Sequence, residues 1–337
     1  NIQASIYANI MSNYKYYCPK LSTHKIGKDV LDPTYKGLHD ALTNIGIDRM
    51  QPDTDMRSST PSICMNPHNS NEIFVCKRYV NYTIGANGEY VNKEFIITKN
   101  VFATLVQNDD KWTKTNEYMM DYNREHDDNY IGCEDVKLFH NGEEIQYTAN
   151  RVTPGCKFQV EYGSYEASTN VNTSSLILSM QKQELYEKNW TLFQNHKNEQ
   201  RIVYKWSPLT ICQRTNDKVN ILHEIKTPYL FKNLRGSSNG VRVGNEVWFL
   251  CHIVSHENRR YYYHMFVAID VETYQVIKYS QLFTFDSEHV EYSLGFIHMK
   301  KDDKFLIGYS TNDNNTKFMM INKASIDEIF IEANNKV

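Results

Sequence analysis

The sequence predicts an all-β fold, a five-bladed β-propeller, on three observations. One turn-and-strand pattern recurs five times along the chain. Aromatic residues make up 13% of it, 24 of them tyrosines, and large rings suit half-buried pleated surfaces. Helical periodicity is scarce, with Asp32–Asn44 and Ser325–Glu332 the best short candidates.

The recurring pattern is a polar turn, a short apolar strand and a polar residue at the strand's end. It reads NSNEIFVCKR from Asn69, NGEEIQYTANR from Asn141, NEQRIVYKW from Asn198, GNEVWFLCH from Gly244 and DDKFLIGYSTND from Asp302. The steps are roughly 45 to 75 residues, the range of one supersecondary unit per repeat. Asn, Asp and Gly tolerate the positive φ of a tight turn, and β-branched and aromatic residues then fill a buried strand. Companion strands flank the hits: TPSICMNP before the first, YIGCEDVKLF before the second, YYYHMFVAID after the fourth and HVEYSLGFIHMK before the fifth. Three or four short antiparallel strands repeated about five times make a propeller. A pair of β-sandwiches is the alternative. Residues 1–56 lack the pattern and are expected to form a lead-in packed on a blade, with the propeller spanning 57–337. Asn108–Asn129 and Glu161–Thr173 read as long polar connections.

Net charge is −3 with both signs interspersed, so no basic stripe points to nucleic acid. No apolar run reaches the roughly 20 residues of a membrane span. Seven cysteines stand at wide spacings without a CxxC pair. Buried free thiols in a reducing, cytoplasmic compartment are the expectation. The chain starts at Asn1 without a methionine, so a further domain in a longer protein is expected. Four N-x-S/T sequons, at Asn81, Asn172, Asn189 and Asn314, carry little weight in so Asn-rich a chain. Neither His nor carboxylate spacing suggests a metal, and no cofactor is expected.

In a propeller the strand ends at one mouth of the axis meet in one pocket. Here those ends are polar: Arg78 and Asn81, Arg151, Lys205, His252 and Asp313. Each alone reads equally well as a solvated loop residue; together they suggest a site. The segment Gly132-Cys133-Glu134-Asp135-Val136-Lys137 sets two carboxylates inside an apolar stretch. On a regular strand they point to opposite faces, so one can face the pocket. A partly desolvated carboxyl there can act as a general acid, and an ion pair with Lys137 or Arg151 is the structural alternative. Glu291 is a further carboxylate between bulky residues. The loop Leu234-Arg235-Gly236-Ser237-Ser238-Asn239-Gly240 could bring Arg235 and backbone amides to a ligand. In Arg259-Arg260-Tyr261-Tyr262-Tyr263-His264, Arg259 and Tyr262 read as a surface face. Trp190 and Trp206 read as core by default.

GCEDVKLF resembles the E-D-P/V-R segment of the five-bladed carbohydrate enzymes of glycoside hydrolase family 130, the β-mannoside phosphorylases and related β-1,2-mannosyltransferases. FLCH at Phe249–His252 resembles that family's strand ending in histidine, and IGYSTND at Ile307–Asp313 its last-blade motif. The matches are short and scattered over residues 60–315. The resemblance implies a sugar site on the axis with Asp135 as general acid, working through a substrate hydroxyl. The polar strand ends, the loop and the carboxylates read above then place Arg78, Asn81, Glu134, Arg235, Glu291 and Asp313 around a glycan or sugar phosphate. It also implies Arg151, Lys205, His252 and Tyr263 for phosphate. Val136-Lys137 replaces the usual Pro-Arg, and RGSS a Gly/Pro-rich loop. Phosphorolysis, transfer, hydrolysis and binding without turnover all stay open, the last as a glycan- or protein-binding propeller of a larger protein.

Overall fold

The computed structural model describes residues 33–50, 55–91, 94–109, 111–155, 157–169, 171–256 and 259–333. Five antiparallel sheets follow one another along the chain. The first blade is Arg57–Asn66, Asn69–Val80, Ile96–Asn108 and Lys111–Met119. The second is Glu134–His140, Ile145–Thr153, Lys157–Glu166 and Val171–Ile177. The third runs Thr191–Gln194, Gln200–Trp206, Leu209–Thr215 and Lys218–Ile225. The fourth is built on Glu246–His256 and Arg260–Asp270, with Arg235–Gly236 and Val241–Val243 on its inner side and Val276–Ser280 outside. The fifth has three strands, Glu291–Met299, Lys304–Thr311 and Asn315–Asn322. The chain is a five-bladed β-propeller.

All five repeat hits fall on the second strand of a blade. Four of their leading turns hold a positive-φ residue: Gly142, Asn198, Gly244 and Asp303. The turn chemistry read in the sequence is thus the chemistry that reverses the chain. The innermost strands touch across the axis, Arg57–Asn66 packing on both Glu134–His140 and Glu291–Met299. Gly295 makes that approach possible. A Cβ there would lie 2.6 Å from the Ile63 amide nitrogen and 2.8 Å from its carbonyl oxygen. Backbone cannot yield as a side chain can, so Gly295→Ala is expected to cost ~1–3 kcal/mol in urea unfolding.

The core is a ring of apolar clusters between neighbouring blades. One joins Trp248, Phe266 and Phe296 of the fourth and fifth blades to Phe305. Another joins Phe139 and Val160 to Trp190 and Leu192 of the third. Trp190 and Trp206 are both buried, the packing role expected of them. His264 lies in this interior beside Phe283 and Phe285, and burial lowers its pKa from 6.5 to about 3. The folded chain therefore resists a proton that the unfolded chain accepts below pH 6.5. Stability is full above 6.5 and is lost as pH falls towards 3, by about 1.4 kcal/mol per unit. Urea unfolding at pH 7.5 and pH 5 is expected to show a loss of roughly 2 kcal/mol from this group. His264→Phe should remove that part of the difference.

Within the lead-in, a helix spans Pro33–Thr43 and sets Leu38, Leu42 and Ile45 against Val75, Leu105, Trp112 and Phe318. It thereby bridges the first and fifth blades. The buried Lys77 ammonium donates to the carbonyls of Thr43 and Ile45 at 3.2 and 3.0 Å, and the Tyr79 hydroxyl donates to Ile45 at 3.0 Å. These donors satisfy the carbonyls that a helix end leaves open. Residues 1–32 of the lead-in, and Cys18 and Cys156, lie outside the described residues. Cys64, Cys76, Cys133, Cys212 and Cys251 are buried free thiols. No helix among the described residues is long and apolar enough to cross a membrane.

Three expectations are corrected. Asn108–Asn129 contains the strand Lys111–Met119, and Glu161–Thr173 contains parts of two more. Their polar residues are the solvent-facing half of outer strands, which need only one apolar face. The second helix is only Lys323–Asp327, because Phe330–Glu332 pairs with Val276–Ser280 at the outer edge of the fourth blade. An open edge rewards an added strand more than an exposed turn rewards helix.

Candidate functional site

At one mouth of the axis lies a polar cavity of about 80 Å³ to which all five blades contribute. Arg78 comes from the first blade and Glu134, Asp135 and Asn150 from the second. Lys188 and Asn189 come from the approach to the third, Arg235, His252 and Tyr262 from the fourth, and Tyr292 and Asp313 from the fifth. Tyr82 and Tyr90, beside a small hairpin after the first blade's second strand, complete it.

The centre is the Glu134-Asp135 pair. Regular alternation would send the two side chains to opposite faces, but both line the cavity. The register slips between Glu134 and Lys137, and Asp135 takes a φ of 52°. This bulge re-aims the side chain, and Asp bears the left-handed conformation better than most residues. The approach is pinned. Gly132 has a φ of 94° and lies so close to the Thr98 carbonyl that a Cβ would come within 2.1 Å. Its carbonyl accepts from Arg151 Nη1 at 2.5 Å, and the Cys133 carbonyl accepts from Asn100 at 2.8 Å.

Neither Lys137 nor Arg151 pairs with Asp135. Arg78 does: its Nη1 donates to Asp135 Oδ1 at 2.7 Å, and its Nη2 donates to Tyr82 at 3.1 Å and to Glu134 at 3.4 Å. Asn150 donates to Asp135 Oδ2 at 3.0 Å. The Tyr82 hydroxyl passes the chain on to Asp313 Oδ2 at 3.3 Å. Asp313 follows Asn312 in the last hairpin turn, where both take positive φ and the Asn314 amide donates to the Thr311 carbonyl at 3.1 Å. Burial raises the pKa of Glu134 and of Asp313; Arg78 opposes this and the Asp135 charge adds to it. Three carboxylates thus crowd one guanidinium.

The cavity also holds cations. Arg235, which pairs in register with His252, lines it, and so does Lys188, whose charge acts on Glu134. Burial, then the charges of Arg235, Lys137 and Lys188, hold the His252 pKa well below its ordinary value, so the ring is neutral near pH 7. Ser237 Oγ lies 2.8 Å from His252 Nδ1. Tyr262 stacks on His252 at 5.7 Å and Tyr292 meets it edge-on at 5.1 Å, giving the cavity an aromatic side.

Of the residues singled out in the sequence, Arg78, Glu134, Asp135, Arg235, His252 and Asp313 line this cavity. The other five do not. Asn81 ties the end of the first blade's second strand to the start of its third, donating to the Phe95 carbonyl at 3.0 Å and accepting from the Ile97 amide at 2.9 Å. Arg151 is buried against Glu161 at 3.0 Å and Asp127 at 3.2 Å. Lys205 pairs with Glu184 beside a neighbouring groove. Tyr263 points into the core, and Tyr262 takes the cavity side. This reverses the faces expected from the sequence, since one position of register exchanges them. Glu291 accepts the amides of Phe285, Asp286 and Glu288 at 2.5, 2.7 and 2.8 Å and is spent on holding their loop.

The Ser237-Ser238-Asn239 loop is also committed internally. The amides of Ser237 and Ser238 both donate to the Leu250 carbonyl at 3.0 Å, and Asn239 ties the Leu192 amide to the carbonyls of Lys137 and Leu138. Tyr82, Tyr90, Asn150, Lys188, Asn189 and Tyr292 are cavity residues that sequence reasoning passed over. Asn150 and Tyr292 each adjoin a residue singled out in the sequence, Arg151 and Glu291, and that adjacency is the signal the sequence offers. No cluster of His, Cys, Asp or Glu among the described residues has metal-binding geometry.

No protein-family model matches the sequence, and no curated protein matches it. Solved structures do match in fold. β-1,2-Mannobiose phosphorylase from Listeria innocua, in complex with β-1,2-mannobiose, has 11% identity and a TM-score of 0.54, covering 83% of this chain and 94% of its own. RS223 β-xylosidase has 7% identity and a TM-score of 0.50, covering 78% of this chain and 91% of its own.

Proposed function

We propose that this protein is an enzyme of glycosidic bonds in β-linked, mannose-containing glycans, with Asp135 as proton donor and phosphate or a sugar phosphate as second substrate. One observation carries the reading: carboxylates and cations line a single axial cavity. A sugar hydroxyl entering between them can replace one of the contacts that Arg78 and Asn150 make to Asp135. The proton then passes through that hydroxyl to the leaving oxygen, as in the family resembled. Glu134 and Asp313, whose pKa values burial raises, line the same cavity. Arg235 and Lys188, beside neutral His252, are the groups for an anionic nucleophile, since convergent cations suit phosphate. Tyr262 and Tyr292 offer faces for a sugar ring. The fold shared with a β-1,2-mannobiose phosphorylase and a β-xylosidase supports the reading.

Hydrolysis is the second reading, favoured by the presence of Asp313 in the cavity. An inverting hydrolase needs a second carboxylate to activate water. Asp313 is the candidate, since Glu291 is occupied with backbone amides. Incubation with β-1,2-mannobiose with and without phosphate separates these. Mannose 1-phosphate formed only with phosphate supports phosphorolysis. Free mannose at an equal rate without phosphate moves the assignment to hydrolysis. If no β-linked mannoside or sugar phosphate turns over, the cavity binds without catalysis.

A further inference from the structure

The opposite mouth of the axis holds a second and larger cavity, of about 400 Å³. It is a separate place, for the two cavities share no lining residue. The strand Glu134–His140 begins at the polar cavity and ends at this one, and so does Glu291–Met299. Its chemistry is also different. The floor is apolar, with Ile63, Leu138, Phe139, Leu294 and Phe296. The rim carries Arg242, Lys300, His68, His140 and His298, and no carboxylate lines it. The carboxylates behind the rim are engaged: Glu72 accepts from Asn66 at 2.7 Å, Glu199 accepts from Asn195 at 2.9 Å, and Asp303 lies 2.7 Å from His298, while Asp270 is within electrostatic reach of Arg242. His140 accepts the Gly142 amide on Nδ1 at 3.1 Å, which leaves Nε2–H as its donor when the ring is neutral.

A volume within 300–1,000 Å³, an apolar floor and a few polar groups at one side is the usual form of a small-molecule site. From the apolar floor and the carboxylate-free cationic rim we infer that this cavity binds an amphipathic organic anion, its apolar body inside and its carboxylate or phosphate head at Arg242 and Lys300. The head would gain charge-assisted hydrogen bonds, and the body would leave water. The site does not depend on the chemistry proposed for the other mouth.

Calorimetric titration with decanoate, decyl phosphate and decanol tests the assignment. Saturable one-to-one binding of both anions is expected, with decanol at least about tenfold weaker, as losing a charge-assisted hydrogen bond implies. Which anion binds more tightly distinguishes a carboxylate from a phosphate ligand. The double variant Arg242→Glu, Lys300→Glu changes only exposed side chains and should weaken both anions at least tenfold while sparing decanol. Asp135→Asn should bind decanoate as the parent does. Equal affinity for decanol and decanoate, unchanged anion binding by the double variant, loss of decanoate binding in Asp135→Asn, or no saturable binding would each overturn the proposal.

Discussion

Asp135→Asn is expected to lower turnover of β-1,2-mannobiose in the presence of phosphate by ~10²–10⁴, the usual contribution of a positioned proton donor. The substitution keeps the size of the side chain and one acceptor for Arg78, which also keeps Glu134 at 3.4 Å. The bulge is held by Gly132 and by the Arg151 and Asn100 contacts to the backbone, so it should persist. Unfolding measured beside activity separates loss of chemistry from loss of fold. A variant that folds and retains the parental kcat would remove Asp135 as the acid and leave Glu134 or Asp313 to be tried.

The second large effect concerns Arg151. Its guanidinium is 1% exposed and is paired with Glu161, itself 2% exposed. It also donates to the carbonyls of Gly132 and Asn123. Arg151→Met would leave a buried carboxylate without its cation, at a cost of ~3–5 kcal/mol in denaturant unfolding. Because Arg151 holds the segment that delivers Asp135, kcat should fall in whatever fraction remains folded. The KM for phosphate should not change, for Arg151 lines no part of the cavity. Arg235→Met is the contrasting case: the KM for phosphate should rise by about tenfold to a hundredfold, the worth of a charged hydrogen bond, with little change in stability at that exposed position. A raised phosphate KM in Arg151→Met would return Arg151 to the substrate.

The architecture was legible because turn chemistry is local. Asn198, Gly244 and Asp303 announce positive φ in the sequence and adopt it in the structure. The strands they introduce are second strands whose far ends reach one mouth of the axis, which is why Arg78, His252 and Asp313 could be selected without coordinates. What stayed hidden depends on non-local register. A bulge of one residue turns Asp135 to the same side as Glu134, and no pattern of period two foretells it. The same period-two rule exchanged Tyr262 for Tyr263. Arg151 and Glu291 carry the expected residue types at the expected places, yet Arg151 is taken by Glu161 of the next strand and Asp127 of a loop, and Glu291 by the loop Phe285–Glu288. A strand-end pattern cannot see such partners. Lys188 and Asn189 precede the third blade's first strand, where no repeat hit drew attention.

If the carboxylates and cations of the axial cavity act on one substrate, a crystal structure with mannose and phosphate bound together will show it. A sugar hydroxyl is expected within hydrogen-bond distance of Asp135, with phosphate on Arg235 and Lys188 beside His252. Mannose and phosphate ordered elsewhere on the protein, with Asp135 still held by Arg78 and Asn150 alone, would contradict it.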